Sequence, residues 1–493
     1  MNPNDVFITF PELLVWFPLL SGLIIFLLNK EDQVKKLALT SSFITVAIVV
    51  ASLFFTDKKY YNFNNVSYFW LPSLGSSFAL MYDGMGRMLC LLTSLAFPLA
   101  FLSSYNKSYT KPNSFYGLML LMQSGLIGVF CAMDALVFYF FWELALIPAY
   151  FLSSRWGGER RIQTTFKFFV YTFAGSLLML IGIIYVYLHT PDFTFSLRSF
   201  MNTKLPTEKE EIIFWLFFIA FAIKMPVFPF HTWQPDAYEQ ATPSVTMILS
   251  GVMVKMGVFA LIRWLIPVFP YASQLFANFI IILAVIGMVY ASLIAWMQDD
   301  LKRLVAYSSI AHIGLMCAAV FARDESGMKG VMIQMFNHGI NVIGLWIVVD
   351  LIERIWGTRK ISELGGLSNA SPVLTIFMVV IALANLALPL TNAFVGEFLM
   401  FNGLFSHGIW TTAIALFCII LVAIYTLNMV RRVFYVETKR ENVLSLKTID
   451  VNVKTALVIV VLIILILGIY PKPMFELTQD SVDVFMSKVK GLF

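Results

Sequence analysis

Residues 212–230 read IIFWLFFIAFAIKMPVFPF, and the fold class follows from how this stretch has to behave. It is apolar over about the 20 residues that one helical crossing of a bilayer needs. It also holds a charge, Lys224, followed by Pro226 and Pro229. Each proline removes a backbone donor, so the segment is expected to be a membrane span interrupted just after its lysine. Irregular backbone at that depth is tolerated only inside protein or beside water, which places Lys224 away from lipid.

The remainder of the 493-residue chain has the same character, with 59% apolar and 13% charged residues. Soluble domains average about 45–50% and about 25%, so a soluble enzyme, a secreted disulfide scaffold and a disordered chain are excluded. Fourteen apolar stretches of crossing length are expected, at 11–28, 37–55, 88–104, 115–132, 135–152, 166–188, 212–230, 244–266, 275–297, 304–321, 331–349, 373–404, 411–430 and 451–470. They define an all-α, multi-pass membrane protein and are numbered below as spans 1 to 14. The stretch 11–28 lacks a basic leader and a small-residue cleavage site, so it is expected to remain as the first span. No loop exceeds about 30 residues, which leaves no room for a separate soluble domain.

An even span count puts both termini on one face. Loops on that face carry 11 Lys and Arg, those on the opposite face 18, so the positive-inside rule makes the latter cytoplasmic and both termini outward. The net charge of +5 is read as this loop bias and not as a nucleic-acid footprint. Cys90, Cys131, Cys317 and Cys418 form no C-x-x-C pair and no metal-ligand spacing, so neither a metal site nor an iron–sulfur cluster is expected in this chain.

Four charges lie deep in apolar surroundings: Glu143, Lys224, Lys255 and Glu397. A charge at mid-membrane costs at least about 2.5–3.5 kcal/mol, so its retention marks function by default. The plainer alternatives are snorkelling for the lysines and structural ion pairing for the glutamates; Lys167, one turn inside its span, fits snorkelling better. Glu397 follows Pro389 in span 12, a stretch too long for one straight crossing. Spans 7 and 12 are thus both broken and stand five apart, which points to two five-helix repeats, spans 4–8 and 9–13, each with a transport site. The chain then divides into 1–110, a first repeat at 111–267, a second at 268–433, and 434–493.

A polar track joins these charges. Gln334, His338 and Asn341 share one stripe of span 11, while Ser308 and His312 lie one turn apart in span 10. Imidazole titrates near neutral pH and has two nitrogens through which a proton can enter and leave. Burial favours a neutral lysine and a carboxylate within about 4–6 Å restores its charge. A series of such groups can hand a proton along without a bound cofactor.

These residues resemble a known family. FWELALIP (141–148), KMPVFPFHTWQPDA (224–237), LSGVMVKMG (249–257) and ANLALPLTNAFVGEF (384–398) are similar to the motifs of the antiporter-like, proton-pumping membrane subunits of respiratory complex I. Glutamate in span 12 favours the M-type branch over the N- and L-types. The resemblance implies two inverted repeats and a site of Glu143 and Lys224 as a coupled pair, Lys255 as bridge, His312 and His338 as onward link, and Glu397 as terminal group. It also implies a subunit of an NADH:quinone oxidoreductase with no redox centre of its own. FMN, iron–sulfur clusters and quinone would sit in partner subunits, and two antiporter-like neighbours would share a bacterial cytoplasmic membrane. Three places depart from the family pattern: Tyr238, the run Thr242 to Thr246, and Leu390 where glycine is usual. Leu390 is not expected to reach the positive φ open to glycine. A sodium/proton antiporter subunit of the multi-subunit type, or a non-conducting structural subunit, are the alternatives.

Overall fold

The computed structural model describes residues 8–56, 60–437 and 448–490. Helix occupies most of every apolar stretch, and eleven helices among the described residues are long and apolar enough to cross a membrane. The other three stretches differ for local reasons. Phe10–Phe26 is a turn shorter than most, at 17 residues. Thr207–Lys224 opens on Glu208 and Glu210 and stops at its lysine, two residues before Pro226. Span 12 is split into Pro372–Asn385 and Asn392–His407.

Helices Pro243–Val268 and Glu325–Trp356 are buried all round at the centre of the bundle. Arg161–His189 and Val451–Ile469 lie at its edge and present most of their surface outward. A hairpin departs from the all-helical expectation, and a further helix follows the last expected span. An antiparallel hairpin pairs Asn65–Leu71 with Ser76–Met81, and an amphipathic helix, Lys472–Lys490, packs against the start of Gly84–Ser103. Ser481 Oγ there accepts from the Met85 N–H at 3.0 Å.

The backbone repeats itself. Asp134 caps Ala135–Trp156 by accepting from the N–H groups of Leu136 and Val137, and Asp300 caps Leu301–Ala322 through those of Lys302 and Arg303. Asp134 bridges Ser196 and Asp300 bridges Lys360. Ala135 N–H donates to Phe195 O and Leu197 N–H to Met133 O; Leu301 N–H donates to Arg359 O and Ile361 N–H to Asp299 O in the same arrangement. The breaks match as well. Val227 N–H reaches back to Ala222 O and Phe230 N–H to Val227 O, as Leu388 N–H does to Leu383 O and Thr391 N–H to Leu388 O. In this pattern Asn385 takes the place of Lys224.

One end of the bundle, rich in basic residues, is tied by an ionic network. Glu239 and Asp236, on the short helix Trp233–Gln240 after the first break, pair with Arg303 at 2.9 and 3.1 Å. Glu239 also meets Arg359 (3.0 Å) and Arg160 (3.1 Å), and Asp236 meets Lys167 (2.8 Å), so Lys167 is paired and does not merely snorkel. Partial burial pushes the Glu239 carboxyl up, but hydrogen bonding to Arg303 and the charges of Arg359 and Arg160 outweigh it and hold it below its ordinary value. A lowered carboxyl stabilises the fold fully above its unfolded-chain value, about 4.3, and loses that contribution as pH falls through the folded-state value. The melting temperature of the intact protein is therefore expected to drop on acidification below about pH 4.3, and Glu239→Gln to make that drop shallower; an unchanged profile contradicts the network's role.

Candidate functional site

Lys255 lies between two stretches of π-helix, Leu249–Met253 and Leu261–Leu265. Wide turns of this kind re-aim carbonyl groups and concentrate at functional sites. Here the Ser250 carbonyl accepts from Lys255 Nζ at 2.8 Å, and a second contact of 2.9 Å runs from Nζ to Nδ1 of His338. Lys255 is wholly buried, so these two groups replace its water.

From His338 the track crosses to span 10. The rings of His338 and His312 have centroids 5.4 Å apart, and His312 Nδ1 lies 3.0 Å from Glu397 Oε1. Gln334 Nε2 donates to the same carboxylate oxygen at 3.3 Å. Four of the six residues singled out in the sequence, Lys255, His338, His312 and Glu397, are thereby brought into one string. The contacts also imply tautomers. An ammonium at Lys255 donates to Nδ1 of His338, leaving a proton on Nε2; His312 donates from Nδ1 to Glu397, leaving Nε2 an acceptor. Both Nε2 atoms are buried without a hydrogen-bond partner in the protein. One ring thus keeps an open donor and the other an open acceptor. A cavity bordered by His312 and Glu397 has about 20 Å³ for the centre of a water molecule, enough for one.

Glu143 and Lys224 are arranged differently. Each feels the other's charge, yet Lys224 Nζ is buried without a hydrogen-bond partner and rests 5.3 Å from the centroid of the Trp142 ring. Glu143 is only half-buried, with Oε1 unpartnered. A buried polar group without a partner costs about 1–3 kcal/mol, so this pair is held apart and not locked as a structural ion pair. Thr207–Lys224 packs directly on Lys255–Ala260, which brings the first break beside the central lysine's helix.

The second break is braced by two amides of span 11, Asn341 of the polar stripe and Asn337, which the stripe did not include. Asn337 Nδ2 donates to Asn392 O at 2.6 Å and Asn341 Nδ2 to Ala384 O at 3.3 Å, so span 11 bonds to both sides of the second break. Asn337 lies one turn from Asn341, a signal available in the sequence. Asn385 and Tyr425 both donate to Ser308 Oγ, and no spacing rule connects the three. One expectation is corrected: Leu390 does adopt a positive φ, 73°, and Ala387 one of 53°. The turn between the half-helices demands this conformation whatever residue stands there, at about 1–3 kcal/mol each.

The family described as "NADH:quinone oxidoreductase/Mrp antiporter, TM" matches residues 132–423. NADH-quinone oxidoreductase subunit M of Rickettsia typhi is 34% identical over 487 residues, covering 96% of this chain and 98% of the relative. Among solved structures, a chain of respiratory complex I from Thermus thermophilus with bound NADH superposes with a TM-score of 0.89 at 27% identity, over 97% of this chain and 99% of that one. A chain of the Mrp complex from Dietzia sp. gives 0.85 at 19% identity, over 97% and 98%, a likeness of fold alone.

Gly396 lets the Glu397 helix approach span 11, since a Cβ there would lie 2.5 Å from Gln334 Oε1. Gly396→Val is expected to lower the melting temperature by several degrees, from overpacking worth about 1–3 kcal/mol. An unchanged melting curve contradicts the close approach.

Proposed function

The chain belongs to the NADH:quinone oxidoreductase family of antiporter-like membrane subunits, the subunit M group, and from that premise we propose that it translocates protons when quinone is reduced elsewhere in the complex. In this reading Glu143 and Lys224 form the switch of the first repeat, Lys255 the bridge, His338 and His312 the link, and Glu397 the terminal group. The repeats are 111–267 and 268–433, flanked by 1–110 and 434–493. The protein sits in a bacterial cytoplasmic membrane with both termini outward and the 18 basic loop residues inside. Its partners are other membrane subunits, including two antiporter-like neighbours, while FMN, iron–sulfur clusters and quinone belong to partner subunits. Among the described residues no three His, Cys, Asp or Glu side chains converge on a metal-sized site, and no step below runs through those groups.

The observation that carries the reading is the string from Lys255 to Glu397, in which every residue is buried, Lys255 is bonded to His338 and His312 to Glu397, and the two imidazoles lie tilted against each other. When Glu143 moves toward Lys224, the lysine is favoured as ammonium; when it withdraws, the cation is left with only the Trp142 face and releases its proton toward Lys255. Lys255 then passes a proton to Nδ1 of His338, His338 gives its Nε2 proton toward His312, and His312 gives its Nδ1 proton to Glu397. Each ring gains one proton as it gives one, so neither keeps a charge.

Glu143→Gln keeps the shape and removes the switchable charge. In membrane vesicles, NADH-driven acidification measured with a pH-sensitive dye is expected to fall at least tenfold, a barrier rise of about 1.4 kcal/mol or more. NADH oxidation by ferricyanide, which reports assembly of the hydrophilic partners, is expected to persist. Loss of assembly alone would instead favour the structural alternative, and sodium-dependent pumping the antiporter one.

A further inference from the structure

The matched backbone patterns show that the two repeats do not carry the same chemistry at their breaks. Lys224 ends the first half-helix of span 7, and Asn385, an uncharged amide, ends that of span 12. Counting on from the caps, Glu143 stands 9 residues after Asp134, and the residue 9 after Asp300 is Ser309, a hydroxyl. The second repeat therefore lacks the ion pair that the first uses as its switch.

In its place is a buried neutral cluster. Tyr425 OH donates to Ser308 Oγ at 2.9 Å, and Asn385 Nδ2 donates to the same oxygen at 3.3 Å. With two donors on its oxygen, Ser308 keeps its own hydroxyl proton free to donate. Ser308 and His312 are one turn apart on Leu301–Ala322, and His312 Nε2 is an unpartnered buried acceptor. The depths agree as well. Ser308 is 7 residues beyond Leu301, and Tyr425 is 6 before Arg431, each roughly 10 Å from the basic end of its helix at 1.5 Å per residue. His312 is about 6 Å deeper.

We infer that Tyr425 and Ser308 are a hydroxyl relay that feeds protons from the basic face to His312 and so to Glu397, with Asn385 as the positioning residue that holds Ser308 ready to donate. The relay conserves charge. Tyr425 receives a proton from the basic side as it gives its own to Ser308 Oγ, and Ser308 gives its hydroxyl proton to His312 Nε2, directly or through one water. His312 then releases its Nδ1 proton to the Glu397 carboxylate. No group but Glu397 changes its net charge, and no oxidant or reductant takes part. The second repeat would thus load by proton hopping through hydroxyls, whereas the first loads by opening and closing an ion pair.

This inference rests on the proposed role of Glu397, and the experiment separates the two. In the intact complex, vesicle acidification and its solvent deuterium isotope effect are measured for Tyr425→Phe, Ser308→Ala, Ser308→Thr and Glu397→Gln, with ferricyanide activity as the assembly control. Expected are loss of pumping with Glu397→Gln, an about tenfold loss with an enlarged isotope effect in Tyr425→Phe and Ser308→Ala, and near-normal pumping with Ser308→Thr, which keeps the hydroxyl. If Glu397→Gln abolishes pumping while Tyr425→Phe and Ser308→Ala pump normally, the relay is wrong and the role of Glu397 stands. Normal pumping by Glu397→Gln overturns both. If Tyr425→Phe reduces the yield of complex, the serine pair decides: equal losses in Ser308→Ala and Ser308→Thr with an unchanged isotope effect mean that the cluster only packs, which overturns the relay.

Discussion

A polar group in hydrocarbon has only the rest of the protein to bond with, and the architecture follows from that shortage. Helices answer it for the backbone. A broken helix cannot, and at the second break Asn337 and Asn341 of span 11 supply donors to the carbonyls of Asn392 and Ala384. The most buried spans, Pro243–Val268 and Glu325–Trp356, are also the ones that carry Lys255 and His338. Charge is kept where lipid is farthest.

Within that frame, partly met hydrogen bonds are the working parts of the proposed proton route. Lys224 Nζ, Glu143 Oε1 and the Nε2 atoms of both histidines lie in a tightly packed interior without partners, and a protein selected only for stability would have filled those places with apolar residues. Each is a donor or acceptor left open along the same track. In the proposed route, direction comes from tautomers and from the pairing of Lys255 with His338 and of His312 with Glu397, in which the bond on one ring nitrogen dictates the role of the other. The ionic network at the basic end ties the ends of spans 5 to 7 to those of spans 9 to 11 through Glu239, Arg303 and Arg359.

Much of this could be read from the chain. Apolar length located the spans, Pro226 and Pro229 located the first break to within two residues, and the stripe of Gln334, His338 and Asn341 predicted which face of span 11 is polar. What spacing could not supply was contact between elements far apart in sequence. Ser308 and Tyr425 are 117 residues apart, and nothing local marks either as the other's partner. The hairpin at Asn65–Leu71 was hidden by its aromatic, half-exposed composition, and the helix Lys472–Lys490 by its low overall hydropathy. Leu390 shows the opposite limit: residue preference argued against a positive φ, and closing the turn between two anchored half-helices overrode it.

The central claim is that Lys224, Lys255, His338, His312 and Glu397 share one hydratable route inside the protein. A map of the intact complex fine enough to show ordered water tests it most directly. The account predicts density for water between Lys224 and Lys255 and beside both histidine Nε2 atoms, continuous to Glu397. Apolar side chains packed solidly between the two lysines, or the Lys224 amine turned out among lipid headgroups, would contradict it.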